Sequence, residues 1–135
     1  MTCKPKVSIC IPSYNHARFL PAAIESALAQ THKNIEIVIV DDGSTDNSLK
    51  IAGSYASKYP SIVFLHTHPG HCNRGISATM NLAAQKSTGE YWSTIGSDDV
   101  LYSNKTERQV AYLDKHPNVA WVYSCVQHIY ILERE

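Results

Sequence analysis

Two acidic pairs, Asp41-Asp42 and Asp98-Asp99, each follow an apolar run in this 135-residue chain, and Tyr14 lies just beyond a third such run. Carboxylates gathered in one place repel, and at least one pKa is pushed upward unless a cation relieves them. Carboxylates on loops without a Cys/His set suit a hard divalent ion such as Mg²⁺ or Mn²⁺. Such an ion takes only one or two protein carboxylates and completes its octahedron with ligand phosphates and water. The ligand that fits is a nucleoside diphosphate. The aromatic face of Tyr14 can stack on a base. Asp42 can accept a hydrogen bond from a ring N–H, which suits uracil N3–H and rejects cytosine, whose N3 carries no proton.

These residues act together only if the fold brings them to one edge. Val7-Ser8-Ile9-Cys10-Ile11 predicts a strand stopped by Pro12-Ser13-Tyr14-Asn15. Phe19, Leu20, Ala23, Ile24, Ala27 and Leu28 then recur at helical spacing. Ile35 to Val40, nearly continuous in β-branched residues, predicts a parallel strand covered on both faces. Ser44 or Thr45 is placed to cap the next helix, whose stripe of Leu49, Ala52, Tyr55 and Ala56 is closed by Tyr59-Pro60. Ile62 to Leu65 predicts a third strand. After the polar loop His66 to Asn73 come Ile76, Met80, Ala83 and Ala84 at helical spacing, with Gly89 as a C-cap candidate. Glu90 to Ile95 predicts a fourth strand, Asn104 to Lys115 a helix with Val110 and Leu113 inward, and Val119 to Val126 a fifth strand.

Strands alternating with helices specify an α/β domain with a mainly parallel sheet and helices on both faces, Rossmann-like in its winding. Ligands of such sheets lie beyond the carboxyl ends of the strands, where Tyr14, Asp42 and Asp98-Asp99 all fall. The first turn lacks a Gly-rich phosphate cradle, so neither a dinucleotide fingerprint nor a P-loop is present. With no repeat or linker, residues 1–135 read as one domain.

Composition excludes several functions. Twelve Lys and Arg balance twelve Asp and Glu, and a neutral chain has no electrostatic footprint for nucleic acid or an anionic membrane. No apolar run approaches the ~20 residues of a membrane span, and no secretory h-region precedes the first strand, so a cytoplasmic location is expected. Cys3, Cys10, Cys72 and Cys125 share no CxxC spacing; Cys10 and Cys125 sit in apolar runs, where a buried thiol is expected.

The run from Val7 to Asn15, Ser26-Ala27-Leu28-Ala29-Gln30-Thr31, Glu36 to Asp46, Asn73-Arg74-Gly75-Ile76-Ser77, Asn81, Thr88-Gly89-Glu90-Tyr91 and Ser97-Asp98-Asp99 together resemble a family 2 glycosyltransferase of the GT-A fold. The likeness extends from about Val7 to Val126, and it is closest to members with Asp-Asp where many relatives carry Asp-x-Asp-Asp. It implies transfer of a sugar from a nucleotide diphosphate sugar to a carbohydrate or other glycosyl acceptor. A UDP-sugar is favoured over GDP or dTDP donors, and Mn²⁺ or Mg²⁺ assists. It further implies that Pro12 and Tyr14 line the base pocket, that Asp42 accepts from the base, and that Asn73 and Arg74 lie close to the phosphates. Asp98 would sit by the ribose or diphosphate and share the metal with Asp99, the direct ligand. Inversion with one general base is the usual stereochemistry.

The chain departs from the pattern at Gly96, the first position of the usual Asp-x-Asp, and at Met80, where an Arg is frequent. The family's base belongs to an acceptor-binding half that follows the region matched by Val119 to Val126. The expectation is therefore a nucleotide-sugar-binding domain without that half, and no residue of the chain is assigned as base. The alternative is a binding module that holds the nucleotide sugar or diphosphate without transfer. His66-Thr67-His68-Pro69-Gly70-His71-Cys72 has the composition of a Zn²⁺ site but no second ligand cluster. A receiver-like module would need its acidic pair after the first strand and a Lys after the last, which Ser124-Cys125-Val126-Gln127 does not supply. Ile129-Tyr130-Ile131-Leu132 is the apolar surface expected to meet an absent half or the partner in a homodimer.

Overall fold

A computed structural model describes residues 4–128. The chain winds as β1 (Val7–Ser13), α1 (Leu20–Leu28), β2 (Ile35–Asp41), α2 (Ser48–Lys58), β3 (Val63–Thr67), α3 (Ile76–Lys86), β4 (Tyr91–Thr94) and α4 (Lys105–Lys115), with a single 3-10 turn at Pro69–His71. The four strands form one sheet in the order β3-β2-β1-β4. Every pairing is parallel, with Ser13 opposite Asp41, Cys10 opposite Thr94 and Asp41 opposite Thr67. All four carboxyl ends thus open on the same edge.

The alternation along β1 and β2 decides which helix covers which face. Ile9, Ile11, Ile37 and Ile39 pack with Leu20, Ile24 and Ala27 of α1, Ala52 of α2 and Val110 of α4. Cys10, Val38 and Val40 face the other way, onto Ala83 of α3. Helices therefore cover both faces, which is why β2 tolerates almost no polar residue. Burying each Ile or Val here removes it from water for about 1.5–3 kcal/mol.

Glu36 is the exception within β2. It is buried, yet Ser8 Oγ (2.6 Å), the Thr88 amide (2.6 Å), Thr88 Oγ1 (2.7 Å) and Lys6 Nζ (2.6 Å) all reach its carboxylate. Burial alone would raise this carboxyl, but the bonds from Lys6, Ser8 and Thr88 outweigh it and hold the pKa at about 2.

Several local expectations are corrected. Residues 119–126 form no strand; β4 is an edge strand of the sheet among the described residues, and Trp121, Tyr123 and Val126 stand exposed. A β-prone composition becomes a strand only where a neighbouring backbone pairs with it. Cys125 is accordingly exposed, whereas Cys10 is buried as expected. Neither Ser44 nor Thr45 caps α2, which follows Asn47, and Asp46 Oδ1 accepts the Ser48 amide instead (2.8 Å). Gly89 is not the cap of α3, a place that Ser87 takes. Its smallness serves a close approach, since a Cβ there would stand 2.6 Å from the Ser8 amide nitrogen. Cys3 and the Ile129 to Leu132 run lie outside the described residues.

Candidate functional site

The site begins where β1 and β2 stop pairing. Beyond Ser13 and Asp41 the ladder continues by one bond, from the Asp42 amide to the Ser13 carbonyl (2.8 Å), so that Tyr14 leaves the sheet beside Asp42. Pro12 is half-buried opposite Val40, and Tyr14 is 45% exposed, which leaves much of its side chain open to a ligand. Asn15 holds this exit loop from a left-handed conformation (φ 52°). Its amide donates to Ser44 Oγ (2.9 Å), and its Oδ1 accepts the Thr45 amide (2.7 Å).

Both carboxylates after β2 are buried and engaged. Asp41 accepts the Ser44 amide (2.9 Å) and hydroxyl (2.6 Å), and His71 Nε2 lies 3.0 Å from its Oδ1. Asp42 accepts the Arg74 amide on Oδ1 (2.6 Å) and the Gly75 amide on Oδ2 (2.9 Å). A carboxylate offers about four lone-pair directions, so acceptor capacity remains on Asp42. His68 is buried, with Nε2 3.0 Å from Thr79 Oγ1 and 3.5 Å from Asp42 Oδ1. The His-rich tract thus spends His68 and His71 against the two aspartates. Among the described residues no group of three or more His, Cys, Asp or Glu is placed to hold a metal ion.

This arrangement brings Asn73 and Arg74 to Asp42. The loop presses so tightly on the turn after β2 that a Cβ at Gly43 (φ +77°) would stand 2.7 Å from the Asn73 amide nitrogen. Only glycine fits there without moving backbone.

The third part lies after β4. The Ile95 amide donates to the Cys10 carbonyl (3.0 Å), extending the β1–β4 pairing, and the Asp99 amide donates to the Gly96 carbonyl (3.1 Å) to close a tight turn. A Cβ at Gly96 would stand 2.8 Å from Asp99 Oδ2 and 2.9 Å from Asp98 Oδ1, so the two carboxylates converge on the space beside that glycine. Both residues are exposed, and neither side chain makes a hydrogen bond or ion pair among the described residues. Two open carboxylates reaching one point suit a hard divalent cation whose remaining ligands are phosphate oxygens and water. A side chain at Gly96 would intrude on that space.

His16 joins this turn to the loop after β1, with Nδ1 2.7 Å from Ser97 Oγ. His16 has no signal in the sequence beyond lying two residues from Tyr14, whereas Ser97 stands in the Ser97-Asp98-Asp99 run that carries the family resemblance.

A parallel α/β sheet with polar groups gathered beyond its carboxyl strand ends defines the doubly wound class of fold, whose ligands bind at those ends. Within that class the chain belongs to glycosyl transferase family 2, whose family model matches residues 8–133. It is 42% identical over 124 residues to an uncharacterized glycosyltransferase of Rickettsia typhi, covering 92% of this chain and 37% of that protein. The structure resembles S. aureus TarS 1-349 in complex with UDP, with a TM-score of 0.73, 27% identity, and 83% of this chain and 33% of the other covered. It equally resembles the mannosyltransferase PcManGT of Pyrobaculum calidifontis in complex with GDP-Man and Mn²⁺, with a TM-score of 0.73 and 25% identity over the same shares. The chain thus spans about a third of the length of these relatives. Among the described residues no helix is long and apolar enough to cross a membrane.

Proposed function

We propose that this chain is the donor-binding part of a glycosyltransferase that moves a sugar from a nucleotide diphosphate sugar, a UDP-sugar above others, to a carbohydrate or other hydroxyl acceptor. The observation that carries this reading is the convergence of Asp98 and Asp99 beside Gly96, at the end of the strand next to that of Tyr14 and two strands from that of Asp42. Pro12 and Tyr14 bound the base, and the remaining lone pairs of Asp42 accept its N–H. Asn73 and Arg74, held at Asp42 by the loop amides, face the phosphates. Asp98 meets the ribose or diphosphate, and Asp98 and Asp99 hold the Mn²⁺ or Mg²⁺.

The cation supplies charge neutralisation to the departing nucleoside diphosphate. In the transfer, the acceptor hydroxyl oxygen bonds to the anomeric carbon as the bond from that carbon to the β-phosphate oxygen breaks, and the hydroxyl proton leaves to a base. Inversion follows from in-line displacement. None of the residues named here is assigned as that base. The bound UDP of TarS and the GDP-Man and Mn²⁺ of PcManGT support a nucleotide-sugar donor with a divalent ion.

Calorimetric titration of UDP with and without Mn²⁺ tests the reading. Mn²⁺ should tighten UDP at least about tenfold, and Asp99→Ala should remove that gain, as expected when one charged ligand is lost. Equal UDP affinity with and without the ion in the unmodified chain would refute the Asp99 assignment. Cation-assisted UDP binding with no transfer by the full-length protein would leave a binding module.

A further inference from the structure

The loop carrying Tyr14 and the turn carrying Asp98 and Asp99 come from adjacent strands, and one imidazole ties them together. We propose that His16 is a positioning residue that holds the Asp98-Asp99 turn in register with the Tyr14 loop, so that base and diphosphate are gripped as one rigid unit. The inference rests on the donor-site reading above and adds to it a residue with no role in that reading.

The backbone of His16 is fixed on both sides. Its amide donates to Ser48 Oγ at the start of α2 (3.0 Å), and its carbonyl accepts the Phe19 and Leu20 amides (2.9 Å each) where α1 begins. The ring packs edge-on to Phe19, with centroids 6.1 Å apart and planes at 89°. With main chain and ring both held, Nδ1 is presented to Ser97 Oγ at 2.7 Å. Ser97 is buried at 3% exposure, so water competes poorly for its hydroxyl. Ser97 directly precedes Asp98, and the turn closes on Gly96 through the Asp99 amide, so displacing Ser97 displaces both carboxylates. The side chains of Asp98 and Asp99 make no hydrogen bond or ion pair among the described residues. Their aim therefore depends on the backbone that carries them, and His16 is a side chain that steadies it from the Tyr14 loop.

Rigid positioning of the ligand-binding groups predicts a split that general loosening of the fold would not produce. Free uridine, which needs Tyr14 and Asp42 but no cation, should bind His16→Ala within about twofold of the unmodified chain. UDP in the presence of Mn²⁺ should weaken about tenfold, the scale of one buried hydrogen bond. Ser97→Ala should match that loss, and the His16→Ala, Ser97→Ala double variant should lose no more than either single change, because both remove the same bond. His16→Asn, whose amide falls where Nδ1 lies, should recover most of the affinity. Losses that add in the double variant, or uridine weakened as much as UDP, would overturn the proposal. If the unmodified chain gains nothing from Mn²⁺, the donor-site reading fails and the proposal with it. If the chain gains from Mn²⁺ and His16→Ala gains equally, the His16 assignment alone fails.

Discussion

The two edges of the sheet treat their carboxylates in opposite ways. Near the amino ends of the strands, Glu36 receives four donors, from Ser8, Lys6 and the amide and hydroxyl of Thr88, which exhausts its acceptor capacity. At the carboxyl ends, Asp98 and Asp99 stand exposed with no such partner among the described residues, while Asp41 and Asp42 lie between these extremes. A saturated carboxylate has nothing left to give a ligand and serves the fold. An open one contributes little to folding and keeps its lone pairs for something that arrives later. Saturation, more than charge or burial alone, separates the acid that serves the fold from those proposed above to serve the ligand.

The largest effect is expected at Glu36. Glu36→Ala should cost about 3 kcal/mol in denaturant unfolding, since it strands Lys6, Ser8 and Thr88 around a buried gap. UDP affinity of the folded fraction should be unchanged. The pH dependence has a defined sign. A folded pKa of about 2 against an ordinary 4.5 means that the ionised form is favoured by folding. Its stabilisation is complete above about pH 4.5 and is lost as pH falls toward 2. Unfolding midpoints followed from pH 6 to 2.5 should fall less steeply in Glu36→Gln than in the unmodified chain; parallel curves would show that Glu36 is not the group responsible.

Glu36 also marks where sequence reading reached and where it stopped. The apolar periodicities located all four strands and all four helices, because each buried face has one period and one partner. Glu36 passed as a single polar letter in a β-branched run, although a lone Glu in a strand covered on both faces demands buried partners. Those partners, Lys6, Ser8 and Thr88, lie far from it along the chain. The same holds for His68 and His71, whose composition suggested a metal while their actual neighbours, Thr79, Asp42 and Asp41, are set by how the loop folds back over β2. Val119 to Val126 failed for the complementary reason, since propensity is local and strand pairing is not. The convergence of Asp98 and Asp99 beside Gly96 was legible only as adjacency; its geometry required the turn.

Asp41 and Asp98 should respond differently to the same truncation. Asp41→Ala removes the acceptor of the Ser44 amide and hydroxyl and the neighbour of His71, and should cost about 2 kcal/mol of stability. Asp98→Ala, at an exposed side chain without partners, should shift stability by less than about 0.5 kcal/mol while weakening UDP in Mn²⁺. Comparable destabilisation by both would mean that the carboxyl-end acids are as structural as Glu36.

The smallest effect tests whether the open edge includes an apolar contact as well as charge. Tyr14 adjoins Asp42 and is 45% exposed, so its removal opens no cavity in either core, and Tyr14→Ala should leave the unfolding midpoint nearly unchanged. Stacking on a base is worth about 1 kcal/mol at the lower end of its usual range, and a ring this open belongs at that end. Because the base is common to uridine and UDP, both should weaken by a similar factor of about five, and Tyr14→Phe should retain the affinity since it keeps the ring. A loss confined to UDP would place Tyr14 against the phosphates rather than the base. The boundary of the base pocket would then move from the exit of β1 toward Pro12 and the Asn73-Arg74 loop.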